Sequence, residues 1–415
     1  MGYKGSVSLK FLFLGRQPVL NEEGEVSSYL LRFNGNSMQH KLAHVNYTVS
    51  ISKLLHSFDI TKSLEGKKGW IKIDSQSLLK SDLTLLPKES FVLYLMKVDQ
   101  VDNDIFEKIK TLKEEGYNFV LDASLVSRFS KEKGLECLLR FDAVVFDGRK
   151  NASYVDMVEL LNENNITCAI RNVSTKVSYY KYQKEGFKLF LGRYFQEPEP
   201  IKGHQITSSR LALLELLAMI KSDVEMEDIV AAIKFSPDIS LQLLQYINSA
   251  NIKTTKYVES IKDAATLLGR KKLMAWIVLS LYSAQDMEIS QALTDTSMMR
   301  AHLMELLCDL LNVSSLQDQA FLVGLLSVSD AIFKVYLHVI LKSGNFSDKV
   351  HEALLHNKGD LAKLLKIAKI IEEGDAKKLS VVSEKLKVPV ERFSDMLNQI
   401  YKYVRETKQS FGMEA

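Results

Sequence analysis

Cysteine is scarce in this sequence of 415 residues: Cys137, Cys168 and Cys308 are the whole complement. Their odd number, their wide spacing and the lack of any C-x-x-C pair exclude a disulfide framework and point to a reducing compartment. A long apolar run is missing too. No stretch approaches the roughly 18 residues that a membrane-crossing helix needs, so no membrane span is expected. A large excess of one sign of charge is absent: 54 Lys and Arg against 51 Asp and Glu leave a net charge of only +3. That balance gives no case for nucleic acid or an anionic membrane as a partner. The opening, Met1 to Leu14, holds Lys4, Lys10 and the apolar Phe11 to Leu14. This run is too short for a signal-peptide core, no small-residue cleavage site follows, and it reads as a first β-strand. A cytoplasmic protein is the expectation. A phosphate-cradling loop is also missing, since Gly66-Lys67-Lys68-Gly69 lacks the leading Gly and trailing Ser or Thr of a Walker motif.

What is present is the composition of a globular protein, 46% hydrophobic and 25% charged. The length exceeds one ordinary core and suggests two domains. The first half alternates short apolar runs with amphipathic stretches. The runs are Trp70 to Ile73, Phe91 to Met96, Phe119 to Leu121, Ala143 to Phe146, Thr167 to Ile170 and Lys188 to Leu191. Between them, Ile105, Phe106, Ile109 and Leu112 fall at helical spacing, as do Val155, Val158, Leu160 and Leu161, and Gly116 stands where a helix would end. Repeated β-α units imply a parallel sheet, open or closed into a barrel.

Pro198 and Pro200 interrupt this pattern. From Arg210 the texture is helical, with Leu211, Leu214, Leu217 and Ala218 on one face. Further helices are expected over 224–233, 239–248, 261–268, 271–282, 298–311, 317–328, 331–338, 347–355 and 361–373. The boundary is placed so that 1–202 and 203–415 form the two domains. Residues 381–403, around Val388-Pro389, read as a terminal helix pair rather than a DNA-binding helix-turn-helix, because no basic recognition helix stands out.

Several motifs in this order resemble those of a known family pair. Gly15-Arg16-Gln17-Pro18-Val19-Leu20, followed by Val26 to Phe33, resembles the start of EAL domains. Leu191-Gly192-Arg193-Tyr194-Phe195-Gln196-Glu197-Pro198-Glu199-Pro200 resembles their closing motif, and Lys113 to Asp122 resembles the approach to their paired aspartates. In the second half Phe235-Ser236-Pro237-Asp238, then Ile247-Asn248-Ser249-Ala250, then Leu267-Leu268-Gly269-Arg270 resemble HDOD domains. The whole is similar to two-domain EAL–HDOD signalling proteins of bacteria. The resemblance implies an α/β barrel of TIM-like, EAL type followed by an all-α, HD-like domain.

EAL domains are metal-dependent phosphodiesterases for cyclic di-GMP. Such chemistry needs several carboxylates and an Asn around divalent cations that prefer hard oxygen ligands and activate a water. Carried onto this chain, the signature Glu falls on Leu30, the next Asn on Lys72 and the following Glu on Tyr94. Asp122 matches the first of two adjacent aspartates and Ala123 replaces the second. The Lys position falls on Val145, with Asp147 after it. Later Glu positions fall on Arg171 and Ser174, and the Gln before the last Gly on Leu191. One carboxylate remains of a set that needs several, and Lys72 and Arg171 place cations where a metal would sit.

The resemblance therefore implies a non-enzymatic regulator with cyclic di-GMP hydrolysis lost, no metal, no cofactor and a signalling protein as partner. The alternative is a degenerate receptor that binds cyclic di-GMP without turnover, with Arg16 and Gln17 as possible contacts. Against it, Arg32 comes earlier than the family's Arg, and Asn34 takes that place. The second half shows no His-Asp pair, and His204, His302, His338, His351 and His356 lack ligand spacing. Arg270-Lys271-Lys272 reads as a solvated basic face, Trp276 as helical core and Asn248 as a local cap.

Overall fold

The computed structural model describes residues 12–34, 60–98, 103–133, 135–150, 153–201, 206–222, 224–249, 258–282, 290–343 and 346–410. Lys4, Lys10, Phe11, His204 and Ala250 lie outside them. The chain groups into two compact units: residues 1–195 with 373–398, and residues 196–372 with 399–415.

The first unit is a closed barrel of eight strands in sequence order: β1 (Leu12–Leu20), β2 (Val26–Asn34), β3 (Lys68–Asp74), β4 (Phe91–Lys97), β5 (Asn118–Asp122), β6 (Ala143–Asp147), β7 (Thr167–Val173) and β8 (Leu189–Gly192). Each of the six candidate runs from Trp70 to Leu191 overlaps one of β3 to β8, with Lys188 just outside β8; of the strand expected at the opening, Leu12 to Leu14 fall in β1 and the residues before them lie outside the described ones. β1 runs antiparallel to both β2 and β8, and the other neighbours are parallel. The reversal follows from a tight turn. Asn21 Oδ1 accepts from the Glu25 amide at 2.8 Å, and Gly24 takes φ 82°, where a side chain would be strained. The parallel strands need crossovers, which helices 75–80, 103–114, 123–133, 155–163 and 176–184 supply.

Alternation divides the strand residues between two cores. Val19, Leu30, Trp70, Val92, Tyr94, Val120, Ala143, Val145, Ala169 and Leu191 fill the barrel interior. Their neighbours Ile71, Leu93, Phe119, Val144, Cys168 and Phe190 are buried on the other face, under the helices. Both faces are buried, so these strands read as continuous apolar runs rather than as alternating ones. Helix 103–114 buries Ile105, Phe106, Ile109 and Leu112, and Gly116 follows at φ 96°. Helix 155–163 buries Val158 and Leu161, whereas Val155 stays exposed in its first turn. At the end of β8, a Cβ on Gly192 would fall 1.8 Å from the Val173 carbonyl oxygen. Only glycine lets β8 close against β7 there.

The second unit is helical. Helices 208–220, 226–234, 237–247, 261–282, 291–310, 317–326, 348–356 and 359–373 match the expected succession, helix 337–343 is additional to it, and Gly269 (φ 67°) breaks the long fourth one where two helices are expected. The short helix 329–333 replaces the first part of the single helix expected over 331–338. Arg270 donates to the carbonyls of Ile220 (2.9 Å), Ser222 (3.2 Å) and Val224, gathering the acceptors that helix 208–220 leaves at its end. It thus caps a helix, while Lys271 and Lys272 form the exposed basic face. Asn248 holds both the amide and the carbonyl of Val258 at 2.8 Å. Trp276 is buried and stacks on Tyr246. Residues 381–403 do form a helix pair, 376–386 and 390–410, but 373–398 group with the first unit rather than wholly with the second.

Candidate functional site

The carboxyl ends of the parallel strands gather the residues at which the resemblance places a metal site. Four of them, Leu30, Tyr94, Val145 and Leu191, face inward in the barrel core. Three are hydrocarbon and offer no oxygen to a cation. Tyr94 packs edge-on to Trp70 at 6.1 Å between ring centres. Burial, then the adjacent Asp122 carboxylate, push its phenol well above the ordinary tyrosine range.

Asp122, at the end of β5, is committed on both oxygens. Oδ1 accepts from the Ser124 amide (3.0 Å) and hydroxyl (2.6 Å). Oδ2 accepts from the Tyr94 hydroxyl at 3.1 Å and lies 2.9 Å from Arg171 Nη1. Arg171 Nη1 also donates to the Tyr94 hydroxyl oxygen at 3.1 Å, and Nη2 reaches Asp147 Oδ2 at 3.4 Å. One guanidinium therefore bridges two carboxylates from neighbouring strands. Asp147 takes in addition a bidentate pair from Arg149 (3.1 and 2.8 Å) and the Asn172 amide at 2.8 Å. These bonds, Arg149's first, hold the Asp147 carboxyl far below the usual carboxylate range in spite of its burial.

Backbone irregularity makes that convergence possible. The β7–β8 register shifts between Arg171 and Val173, and Asn172 between them takes φ 65°. Asn tolerates the left-handed region, so two successive residues can both aim at Asp147. Arg149 and Asn172 were not among the residues singled out from the sequence. The strand-end order Asp147-Gly148-Arg149 is the signal that could have found the first. A one-residue bulge leaves no trace for the second.

Lys72 stands on β3 opposite Tyr94 and two residues beyond the inward Trp70, half-buried. Burial, then repulsion from Arg32 and Arg171, lower its ammonium to about 8 even though Asp122 pulls the other way. Arg32 shares the inward face of β2 with Leu30. It donates to Gln17 Oε1 and to the Glu373 backbone carbonyl. Gln17 pairs across from Leu30 and so faces the same way. Arg16 does not: it is buried on the outer face, 4.1 Å above the Tyr29 ring centre and 3.1 Å from Glu65. Ala123 opens helix 123–133 and Ser174 is exposed just past β7.

The donor set can be tested against a divalent cation, which takes about six hard oxygens. Both oxygens of Asp122 are engaged, Asp147 is saturated by two guanidinium groups and an amide, and Arg171 lies between the two carboxylates. Among the described residues, no three His, Cys, Asp or Glu side chains stand where they could share a metal ion. The residues present do not fit such a cation. In the helical unit His302 pairs with Glu305 at 2.9 Å and packs on Tyr403, and His338 stacks on Tyr336.

The fold and site define a closed β/α barrel, with its first strand reversed, followed by a helical domain. Residues 207–338 match the family model of the HDOD domain. The chain is 25% identical over 376 residues to the uncharacterized protein YuxH of Bacillus subtilis (strain 168), covering 88% of this chain and 91% of that one. It is 22% identical over 370 residues to the cyclic di-GMP phosphodiesterase CdgJ of Vibrio cholerae serotype O1, covering 88% and 85%. Among solved structures, the barrel half is similar to a standalone EAL protein of Vibrio cholerae O395 in its c-di-GMP-bound form, with 18% identity, a TM-score of 0.35, and coverage of 46% of this chain and 93% of that one.

Proposed function

We propose that this chain is a non-enzymatic regulator in bacterial cyclic di-GMP signalling. In this reading residues 1–202 are a degenerate EAL domain and 203–415 an HDOD domain, and the output is the binding of another signalling protein. The observation that carries it is the guanidinium of Arg171 between Asp122 and Asp147. Metal-assisted phosphodiester hydrolysis needs a cation with open coordination positions to activate water. A guanidinium supplies charge but no coordination site and no acidic water. Lys72 adds a second positive group on the same barrel face. Kinship with a protein named as a cyclic di-GMP phosphodiesterase supports the signalling context. The same kinship favours a second reading, a receptor that binds the nucleotide without cleaving it.

The test is titration of the full chain with cyclic di-GMP by calorimetry, with and without magnesium or manganese, and chromatography of the mixture for the linear product. The expected result is no product under any condition. Saturable heat without product selects the receptor reading. Metal-dependent product that disappears in Asp122→Asn overturns both.

A further inference from the structure

At the amino ends of the parallel strands, opposite the network of Asp122 and Arg171, the barrel interior closes on polar residues. β2 and β3 are in register there, with Ser28 beside Lys68 and Leu30 beside Trp70. Leu30 and Trp70 face inward, and alternation turns Ser28 and Lys68 inward with them, on strands about 4.8 Å apart. Lys68 Nζ donates to Asn118 Oδ1 on β5 at 2.5 Å. Asn118 stands two residues before the inward Val120, and Thr167, two before the inward Ala169, faces them from β7. Alternate strands of such a barrel share layers, so Ser28 falls in the layer of Val92, Ala143 and Leu189, which offer it only hydrocarbon.

Ser28 is 5% exposed, and its Oγ has no hydrogen-bond partner among the described residues. A buried hydroxyl left in that state is costly and rare. Lys68 is half-buried, and its partner among the described residues is a neutral amide rather than a carboxylate. Two carboxylates at this end are engaged elsewhere. Asp142, just before the inward Ala143 and so turned outward, takes Lys113 at 2.8 and 2.9 Å and the Phe119 amide at 2.7 Å. Glu22 takes Lys188 at 2.9 Å. A partly desolvated ammonium with no counter-charge draws an anion. Water suits the place less well, because it must also donate. The Asn118 oxygen is already bonded to Lys68, and the ammonium keeps two N–H groups to give.

We propose that the foot of the barrel binds a compact inorganic anion of the halide class, held by Lys68 Nζ and Ser28 Oγ. One ion balances the ammonium and gives the buried hydroxyl an acceptor. The burial of Ser28 Oγ limits the occupant to a small ion. The bond to Asn118 fixes the Lys68 amine, so the charged donor is preorganised. The site lies at the other end of the barrel from any nucleotide chemistry. It stands whether or not the chain binds or cleaves cyclic di-GMP.

The probe is chloride, titrated against the full chain and followed by the line width of its nuclear magnetic resonance, which broadens when the ion is held by a protein. The expected result is excess width that saturates and is removed by bromide. The affinity should fall about tenfold in Lys68→Met and about fivefold in Ser28→Ala. Lys184→Met removes the same charge from the exposed face of helix 176–184 and should leave the affinity unchanged. Circular dichroism verifies that each variant is folded. Crystals of the unaltered chain soaked in bromide need no variant, and their anomalous peak should lie between Lys68 Nζ and Ser28 Oγ. Width that does not saturate, that persists in folded Lys68→Met or that falls equally in Lys184→Met means an adventitious ion only, and overturns the proposal. A bromide map with no peak at the foot overturns it too and leaves the Ser28 hydroxyl to water.

Discussion

Arg171 Nη1 lies 2.9 Å from Asp122 Oδ2, and the same guanidinium reaches Asp147 at 3.4 Å. Arg171 is the common partner of two carboxylates that would otherwise repel one another near the barrel mouth. Its removal leaves Asp122, 7% exposed, with a buried charge it can no longer balance. Arg171→Met should therefore destabilise the barrel by about 2–3 kcal/mol, below the range for breaking a fully buried pair because the arginine keeps some contact with water. The double variant with Asp122→Asn should cost less than the sum of the singles. The two tryptophans make this measurable, since Trp70 lies in the barrel and Trp276 in the helical unit. A chain with Trp276→Phe reports the barrel alone in urea.

Acid should act through Asp147. Arg149 and Asn172 hold its folded carboxyl below the unfolded value, so its contribution is present above the ordinary carboxylate range, near 4, and is lost as pH falls through the depressed folded value. Barrel stability is thus expected to drop on acidification below about pH 4, and Asp147→Asn should flatten that slope. Arg149 is itself 72% exposed, so Arg149→Ala should cost under about 1 kcal/mol at neutral pH. A pH series of urea midpoints separates the two variants.

Much of the barrel is legible in the sequence, because parallel strands buried on both faces leave apolar runs such as Phe91 to Met96 that turn signals delimit. At the positions the resemblance assigns, Leu30, Val145 and Leu191 read directly as hydrocarbon, and all three face the barrel interior. Which way a residue faces is harder to read. Arg16 and Gln17 are adjacent, and a single step of alternation sends the first to Tyr29 and Glu65 and the second to the mouth. The network around Asp147 depends on a bulge at Asn172, and no local residue preference announces one. The grouping of 373–398 with the barrel unit is a tertiary fact, invisible to helix periodicity.

Gly192 should be irreplaceable for steric reasons. A Cβ there meets the Val173 oxygen at 1.8 Å and the Val173 nitrogen at 2.8 Å, both backbone atoms that cannot rotate away. Gly192→Ala must push β8 off β7 and open the barrel seam, at a cost of about 3 kcal/mol or more by the mechanism of overpacking. Gly24→Ala is the matched control. Its Cβ meets nothing within 4 Å, and only the φ of 82° is strained. It should cost about 1 kcal/mol. Urea midpoints followed through Trp70 give the ranking, and equal losses would contradict the packing argument.

In the helical unit the corresponding anchor is Arg300, 1% exposed. Its Nε and Nη2 take Glu372 as a fork at 2.7 and 3.1 Å, Nη1 donates to the Ser327 hydroxyl at 2.9 Å, and Nη2 reaches the Gln196 amide oxygen at 2.8 Å. Gln196 in turn donates to Glu372 at 3.1 Å. Gly324 makes room for this: a Cβ there would lie 2.6 Å from the Arg300 carbonyl, so helices 291–310 and 317–326 touch backbone to backbone. Arg300→Met leaves the Glu372 carboxylate, 18% exposed, without its fork and should cost about 3–5 kcal/mol. Arg300→Lys should recover little, because an ammonium cannot span both oxygens and reach Ser327 and Gln196 at once. Arg300→Met with Glu372→Leu should recover most of the loss, since replacing both ions avoids the orphaned charge. Trp276 fluorescence in a Trp70→Phe background follows this unit. If the double variant is no more stable than Arg300→Met alone, the charge is not what holds these helices, and the arginine acts through its packed stem.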